Sequence, residues 1–342
     1  MAPLRVAYFC WESLHSVRVG GLAPAVTHLA ETIARHHEVH YFTRGPGPDR
    51  TIDGVHYHFA QPEGHDLISY CRDMSAKALS RFREADSPPF DLVHFHDWHF
   101  IDALGELSGR RTVLTFHSTE YGRNGGNFGT SPEFAYISRM EREGCARATQ
   151  LTTVSHHTKT EIVWLYGVPA EKITVVPNGI YPDAYRLPVD PGQVKKEYGI
   201  HPLAPVALFV GRLVYQKGAD ILADAVPLVL RRRGDVQFIV VGDGEMRPWL
   251  EERCRSLPVH FTGFIPDAEY LRLLNACDVV VIPSRNEPFG LVLTEAWSAG
   301  RCVVATDVGG PAENIENFVD GIKVPVRADS LAWGSPTSSR TP

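Results

Sequence analysis

The sequence predicts an α/β protein made of two Rossmann-like, parallel-sheet domains. Three observations lead there. The chain has 342 residues, more than the roughly 250–300 at which a single hydrophobic core stops growing. Short unbroken apolar runs, such as 206–210 and 279–282, read as strands buried on both faces, as in a parallel sheet. Amphipathic helical stretches alternate with these runs through both halves, as βαβ crossovers require.

Composition narrows the class. Hydrophobic content of 44% and charged content of 22% are those of a globular chain, and a net charge of −6 without a basic cluster argues against a nucleic-acid partner. The amino terminus enters a strand at Arg5 without a signal-peptide pattern, and no apolar run approaches the ~18 residues of a membrane span. The cytoplasm is the expected compartment; oligomeric state is not specified. The cysteines at 10, 71, 145, 254, 277 and 302 form no CxxC pair and read as reduced packing residues.

In the first half, residues 5–9 are a strand and 11–21 a loop into a helix over 22–35. The informative stretch is Arg18-Val19-Gly20-Gly21-Leu22, because paired glycines before a helix let the backbone approach a pyrophosphate. Strands are expected at 38–43 and 55–59, and a helix at 68–84 with Leu79 and Phe82 on one face. The strand beginning at Asp91 ends in a histidine-rich turn, His94-Phe95-His96-Asp97-Trp98-His99. His94 and His96, two apart, share a strand face and could bind zinc, although no further ligand has characteristic spacing. A turn in which Asp97 caps the next helix is another reading. The strand 112–116 delivers His117 at its carboxyl end, and the polar loop 118–127 after it is long enough to suggest a task. A helix at 133–148, a strand at 150–154, Ser155 as an N-cap and a strand at 172–176 complete this half. Pro182, Pro188 and Pro191 mark a linker, so the domains are read as 1–190 and 191–328.

The second half opens with a strand at 205–210, followed by Gly211-Arg212 and Lys217-Gly218 before a helix to about Arg232. A cation at a helix start is disfavoured by ~0.3–1 kcal/mol, a conflict that a bound anion would remove and full solvation would tolerate. A strand at 236–241, the turn Gly242-Asp243-Gly244, a helix at 245–255, a strand at 259–262 and a helix at 267–275 follow. The stretch 276–313 then reads as strand, charged loop, helix, strand and Gly-Gly turn. It sets Glu287 at the carboxyl end of a buried strand, where open α/β sheets bind ligands, with helix-start amides at Gly290 and Leu291 beside it. Those amides suit an anion, while Glu287 and Glu295 can each accept paired hydrogen bonds from vicinal hydroxyls. An ordinary βαβ unit with solvated glutamates is the plain alternative.

The string Glu287-Pro288-Phe289-Gly290-Leu291, through Glu295-Ala296 to Gly309-Gly310 and Glu313, resembles the nucleotide-sugar site of retaining glycosyltransferases of the GT-B fold. This is the group 1 class that includes glycogen and starch synthases. Other stretches match in order. Arg18-Val19-Gly20-Gly21-Leu22 is similar to the Lys-x-Gly-Gly-Leu loop of those synthases, with arginine for lysine. Trp11-Glu12, His96-Asp97-Trp98-His99, Pro177-Asn178-Gly179 and Gly211-Arg212 with Lys217-Gly218 are similar to further motifs, so the resemblance covers about residues 5–325.

The resemblance implies two domains facing a cleft, nucleotide held mainly by the second and acceptor by the first. It implies transfer of a sugar, with glucose the best guess, from a nucleoside-diphosphate sugar to a carbohydrate acceptor such as an α-glucan, with retention. His117, Glu287, Arg212 and Lys217 take the catalytic roles. Arg18, Gly20, Gly21, Gly290, Leu291 and Glu295 hold the donor, Gly242–Gly244 lie near the base, and Asp97 and Trp98 lie on the acceptor side. No metal or other cofactor is expected, since the cations can stabilise the departing diphosphate and no Asp-x-Asp motif is present. A dehydrogenase would want Gly-x-Gly-x-x-Gly after the first strand, which the sequence lacks.

The tail departs from the family. Residues 329–333 could start a helix that 335–342 cannot continue, so the tail 329–342 reads as irregular where the family continues with helices, which suggests a truncated C-terminal domain with an exposed apolar face and an impaired activity. A catalytically weak or inactive sugar-nucleotide or glycan-binding protein is therefore an alternative. So is a GT-B nucleotide-sugar epimerase.

Overall fold

Residues 2–107 and 109–334 are described in a computed structural model of the chain. They form two units, the first running to Tyr121 and from Phe128 to Gly179, the second comprising Gly122–Asn127 and the chain from Ile180 onward.

The first unit contains β1 (Arg5–Phe9), α1 (Leu22–Ala34), β2 (Glu38–Arg44), β3 (Arg50–Ile52), β4 (Val55–Ala60) and α2 (Leu67–Ala85). It continues with β5 (Leu92–His96), α3 (Ile101–Glu106), β6 (Thr112–Phe116), α4 (Glu120–Arg123), α5 (Pro132–Arg147), β7 (Gln150–Thr153), α6 (His156–Tyr166) and β8 (Ile173–Val175). The sheet order is β3-β4-β2-β1-β5-β6-β7-β8, parallel except for β3 against β4. One face is filled by Phe9, Phe42 and Phe95, whose rings stack at 5.0 and 4.8 Å, with Phe82 of α2 packed against Phe9. β3 is absent from the sequence reading because its three residues carry no apolar run. The turn makes it: Asp53 (φ 48°) and Gly54 (φ 82°) are both left-handed, as a two-residue hairpin loop of type I′ requires. Ser155 accepts from the Thr158 amide at 3.1 Å and caps α6 as expected.

The second unit contains α7 (Pro191–Glu197), β9 (Val206–Val210), α8 (Ala219–Leu230), β10 (Gln237–Val241), α9 (Arg247–Arg253), β11 (Val259–Gly263) and α10 (Asp267–Ala276). Then come β12 (Val279–Ile282), α11 (Leu291–Ser298), β13 (Cys302–Thr306), α12 (Gly309–Asn314), β14 (Ile322–Val324) and α13 (Ala328–Gly334). Its parallel sheet runs β11-β10-β9-β12-β13-β14, the doubly wound order of a Rossmann domain. Strand order reverses between β9 and β12 here and between β1 and β5 in the first unit. Loops leaving the carboxyl ends of those pairs diverge and leave a crevice.

Two boundary expectations change. Of the supposed linker prolines, Pro182 opens a 3-10 turn and Pro191 opens α7, since a ring-locked φ and a missing N–H suit a first helical turn. The Tyr185 hydroxyl and Arg186 bond to Glu295 and the Ser298 carbonyl, both at 3.2 Å, so the division falls after Gly179 and not near 190. The helix start expected at 329–333 is present as α13, which runs to Gly334, so that stretch of the tail is not irregular; Leu331 and Ala332 are buried and pack toward α8. The rest of that tail lies outside the described residues. Five cysteines are buried and free, and Cys302 is free and exposed. Among the described residues, no helix is long and apolar enough to cross a membrane.

Candidate active site

In the second unit, the loops after β9 and β12 meet at the switch point. Lys217 ends a 3-10 turn just ahead of α8, and its Nζ donates to Glu287 Oε2 at 2.8 Å. The Ser284 hydroxyl donates to the same oxygen at 2.9 Å, so Glu287, 8% exposed, leaves Oε1 for another donor. The unfavourable placement of a cation at a helix start is thus relieved by a protein carboxylate.

Backbone contacts too close for any side chain hold this loop. A Cβ on Gly309 (φ 59°) would lie 1.9 Å from the Glu287 carbonyl oxygen, and one on Gly218 (φ 65°) 2.0 Å from that of Pro283. The Gly310 amide donates to the Glu287 carbonyl at 2.8 Å. Arg285 forks onto Asp220 with contacts of 2.8 and 2.6 Å and lies 3.8 Å above the Tyr215 ring. These contacts position Glu287 by fixing the backbone on either side of it.

Gly290 is left-handed (φ 88°), which only glycine adopts without strain. It begins α11 without a side-chain cap, leaving the helix-start amides for a ligand. One turn further, Glu295 accepts the Tyr185 hydroxyl at 3.2 Å and that of Tyr270. Burial first, then this carboxylate, raises the Tyr270 pKa well above its usual value. Arg212 is exposed on the loop after β9. The Gly242–Gly244 turn packs directly on that loop: a Cβ on Gly242 would meet the Gly211 carbonyl at 2.0 Å, and the Leu213 amide donates to the Asp243 carbonyl at 2.8 Å.

In the first unit, the expected phosphate loop is organised by Glu12. Its buried carboxylate accepts the amides of Val19 at 2.9 Å and Gly20 at 3.0 Å. The Gly20 N–H is therefore committed to the protein, and Gly21, exposed at the start of α1, is the glycine of the pair left facing outward. Arg18 is exposed on the same loop.

At the β5 and β6 ends, Asp97 is buried with φ 56° and does not cap the following turn. Its Oδ1 accepts the His117 amide at 2.8 Å. Trp98 is 4% exposed, stacked on His99 and edge-on to Tyr136, so it packs the core beneath the turn. Among the described residues His94 and His96 belong to no group of three metal-ligating side chains, and one nitrogen of each ring has a protein partner. His94 Nε2 is 2.6 Å from Thr115 Oγ1, and His96 Nδ1 is 3.0 Å from His117 Nε2.

His96 Nε2 is buried without a hydrogen-bond partner. A buried N–H is seldom left unpaired, so the hydrogen-bond balance assigns the His96 proton to Nδ1, donating to His117 Nε2. A neutral His117 then carries its own proton on Nδ1. Burial lowers its pKa against the opposing pull of Asp97, which favours that neutral form.

Comparison with known proteins decides the family. A model described as "Glycosyl transferases group 1" matches residues 204–334, and one described as "Glycosyltransferase Family 4" matches residues 19–184. An uncharacterized glycosyltransferase of Methanocaldococcus jannaschii is 35% identical over 97% of this chain and 88% of its own length. A glycogen synthase of Mycobacterium tuberculosis is 30% identical over 93% and 82%. The chain is a group 1 glycosyltransferase.

Solved structures give the fold. The catalytic domain of starch synthase IV from Arabidopsis thaliana, bound to ADP and acarbose, superposes with TM-score 0.78 at 18% identity over 97% of this chain and 91% of that one. Anabaena HepE in complex with UDP-glucose does so with TM-score 0.72 at 23% identity over 96% and 88%. The glycosyltransferase therefore has the GT-B fold class.

The structure brings Lys217, Glu287, Gly290, Leu291 and Glu295 onto neighbouring loops of one unit, and Asp97 beside His117 in the other. Sequence reasoning assigned no holding role to Glu12, Ser284, Asp220, Tyr185, Tyr270 or His96, although Glu12 and His96 lie in motifs it singled out. Ser284 is only three residues from Glu287, but Tyr185 and Glu295 are 110 residues apart, a separation that no local spacing encodes.

Proposed function

We propose that this glycosyltransferase moves glucose from a nucleoside-diphosphate sugar to an α-glucan-type carbohydrate acceptor with retention at the anomeric carbon. The observation that carries the reading is the Lys217–Glu287 pair, 2.8 Å apart at the switch point beside the uncapped start of α11. A diphosphate needs cations and amides, and a sugar needs an acceptor for its hydroxyls. Both lie on two adjacent loops.

In this reading Lys217, Arg212 and the α11 amides stabilise the charge that builds on the leaving diphosphate. In the first unit, the Gly21 end of the loop, with Arg18, suits a phosphate. Glu287 orients the donor sugar through Oε1 and does not attack it. His117 donates from Nδ1 to a sugar hydroxyl, and Asp97 holds the His117 backbone in position. Glu295, on the first turns of α11, accepts the ribose hydroxyls. The leaving phosphate takes the acceptor proton, so no carboxylate base and no metal cofactor are invoked.

The test is release of nucleotide from ADP-, UDP- and GDP-sugars, with and without glycogen or maltooligosaccharide. Acceptor-dependent release from one donor supports the reading, with a loss of roughly 10²–10³ in kcat for Lys217→Ala and near-complete loss for Glu287→Ala. Donor binding without release from any sugar would favour a non-catalytic binding protein.

A further inference from the structure

A separate cluster of ligand-bearing side chains lies in the first unit. His15 is in the loop after β1, Glu31 near the end of α1, and Asp53 in the β3–β4 turn. One imidazole nitrogen and two carboxylate oxygens, one atom from each residue, lie within 4.8 Å of one another. His15 Nε2 and Glu31 Oε1 are 3.4 Å apart. His15 and Glu31 are half-buried and Asp53 is exposed, so the cluster is open on one side.

The surrounding chain sets this geometry. The His15 amide donates to Ser13 Oγ at 3.2 Å, and its carbonyl accepts from Arg50 Nη2 at 2.9 Å. Asp53 is fixed by the left-handed hairpin turn. A further group addresses the same space. Tyr57 of β4 is fully buried, with its ring edge-on to that of His15 at 5.1 Å. Its hydroxyl has Thr27 nearby but completes no hydrogen bond of good geometry among the described residues. Leaving a buried hydroxyl incompletely paired is unfavourable, a penalty that a fixed water on an ion would remove.

We propose that His15, Glu31 and Asp53 bind one divalent transition-metal ion, with zinc the best match. One imidazole and two carboxylates suit a borderline cation, whereas magnesium and calcium favour sets made only of oxygen. Ligand atoms around tetrahedral zinc lie roughly 3.3–3.6 Å apart, so the cluster closes by about one ångström, mostly through the exposed Asp53 side chain. Water takes the fourth position and meets the Tyr57 hydroxyl. The ion ties the loop that ends at Gly20 and Gly21 to α1 and to the sheet edge, a structural task outside the transfer chemistry.

Calorimetric titration of the chelator-treated full chain with zinc chloride tests this. The expected result is one zinc per chain, unaffected by a tenfold excess of magnesium. Affinity falls at least tenfold in His15→Ala and in Asp53→Asn. Asparagine tolerates a left-handed turn position, so the second variant keeps its fold. A His36→Ala/His37→Ala variant should bind zinc as the parent does. The proposal is overturned if the parent binds no zinc, or if His15→Ala/Asp53→Asn retains the same stoichiometry and affinity.

Discussion

His94, His96 and His117 stand in the first unit as neutral bases where burial is the main cause of a lowered pKa, to about 3 for His94. The unfolded chain protonates each of them near the usual 6.5. Unfolded chains therefore bind more protons below that value. The stability these rings permit is intact above pH 6.5 and is lost as pH falls toward the folded values, at about 1.4 kcal/mol per pH unit for His94. Urea unfolding at pH 7 and pH 5 should show this loss, and His94→Gln should reduce the slope. Glycine offers a second residue-scale test. Gly300 and Gly309 are both left-handed, at φ 68° and 59°, but a Cβ on Gly300 meets nothing within 4 Å while one on Gly309 meets the Glu287 carbonyl at 1.9 Å. Gly300→Ala should cost only the conformational penalty of about 1–2 kcal/mol. Gly309→Ala should cost more and also weaken nucleotide binding, read by thermal melting and titration with nucleoside diphosphates.

At the scale of elements, what the sequence made legible follows from burial. Strands such as β12, buried on both faces, declare themselves as unbroken apolar runs. Helices such as α6 announce their starts by a capping serine. Two elements escaped because their cause is not local. β3 exists through its hairpin turn and its pairing with β4, and α7 begins at a proline that reads equally well as a linker. The start of α13 was legible at 329–333, but only its packing on α8 shows that Leu331 is a core residue. Leu331→Ala should therefore cost about 2–5 kcal/mol, whereas Trp333→Ser, at a side chain 52% exposed, should stay within about 0.5 kcal/mol. Chemical denaturation of both variants checks the contrast.

Across the whole molecule, two sheets place their reversal points so that the residues singled out by sequence gather at strand ends. Topology explains why Lys217 and Glu287, 70 residues apart, become partners: β9 and β12 are neighbours in space, and each loop follows its own strand. Gly20 shows where this legibility ended. The glycine pair was recognisable as a phosphate-loop candidate, but the commitment of the Gly20 amide to Glu12 was not, because it depends on the path of a whole loop. The central claim is retaining transfer from a nucleoside-diphosphate sugar. Proton NMR of the reaction with an α-configured ADP- or UDP-glucose and maltooligosaccharide tests it most directly, following nucleotide release and the first anomeric signal formed. The account predicts a new α-linked glucose appearing in step with the nucleoside diphosphate, and neither product with Glu287→Ala. A β-linked product, or unchanged transfer in that variant, would contradict it.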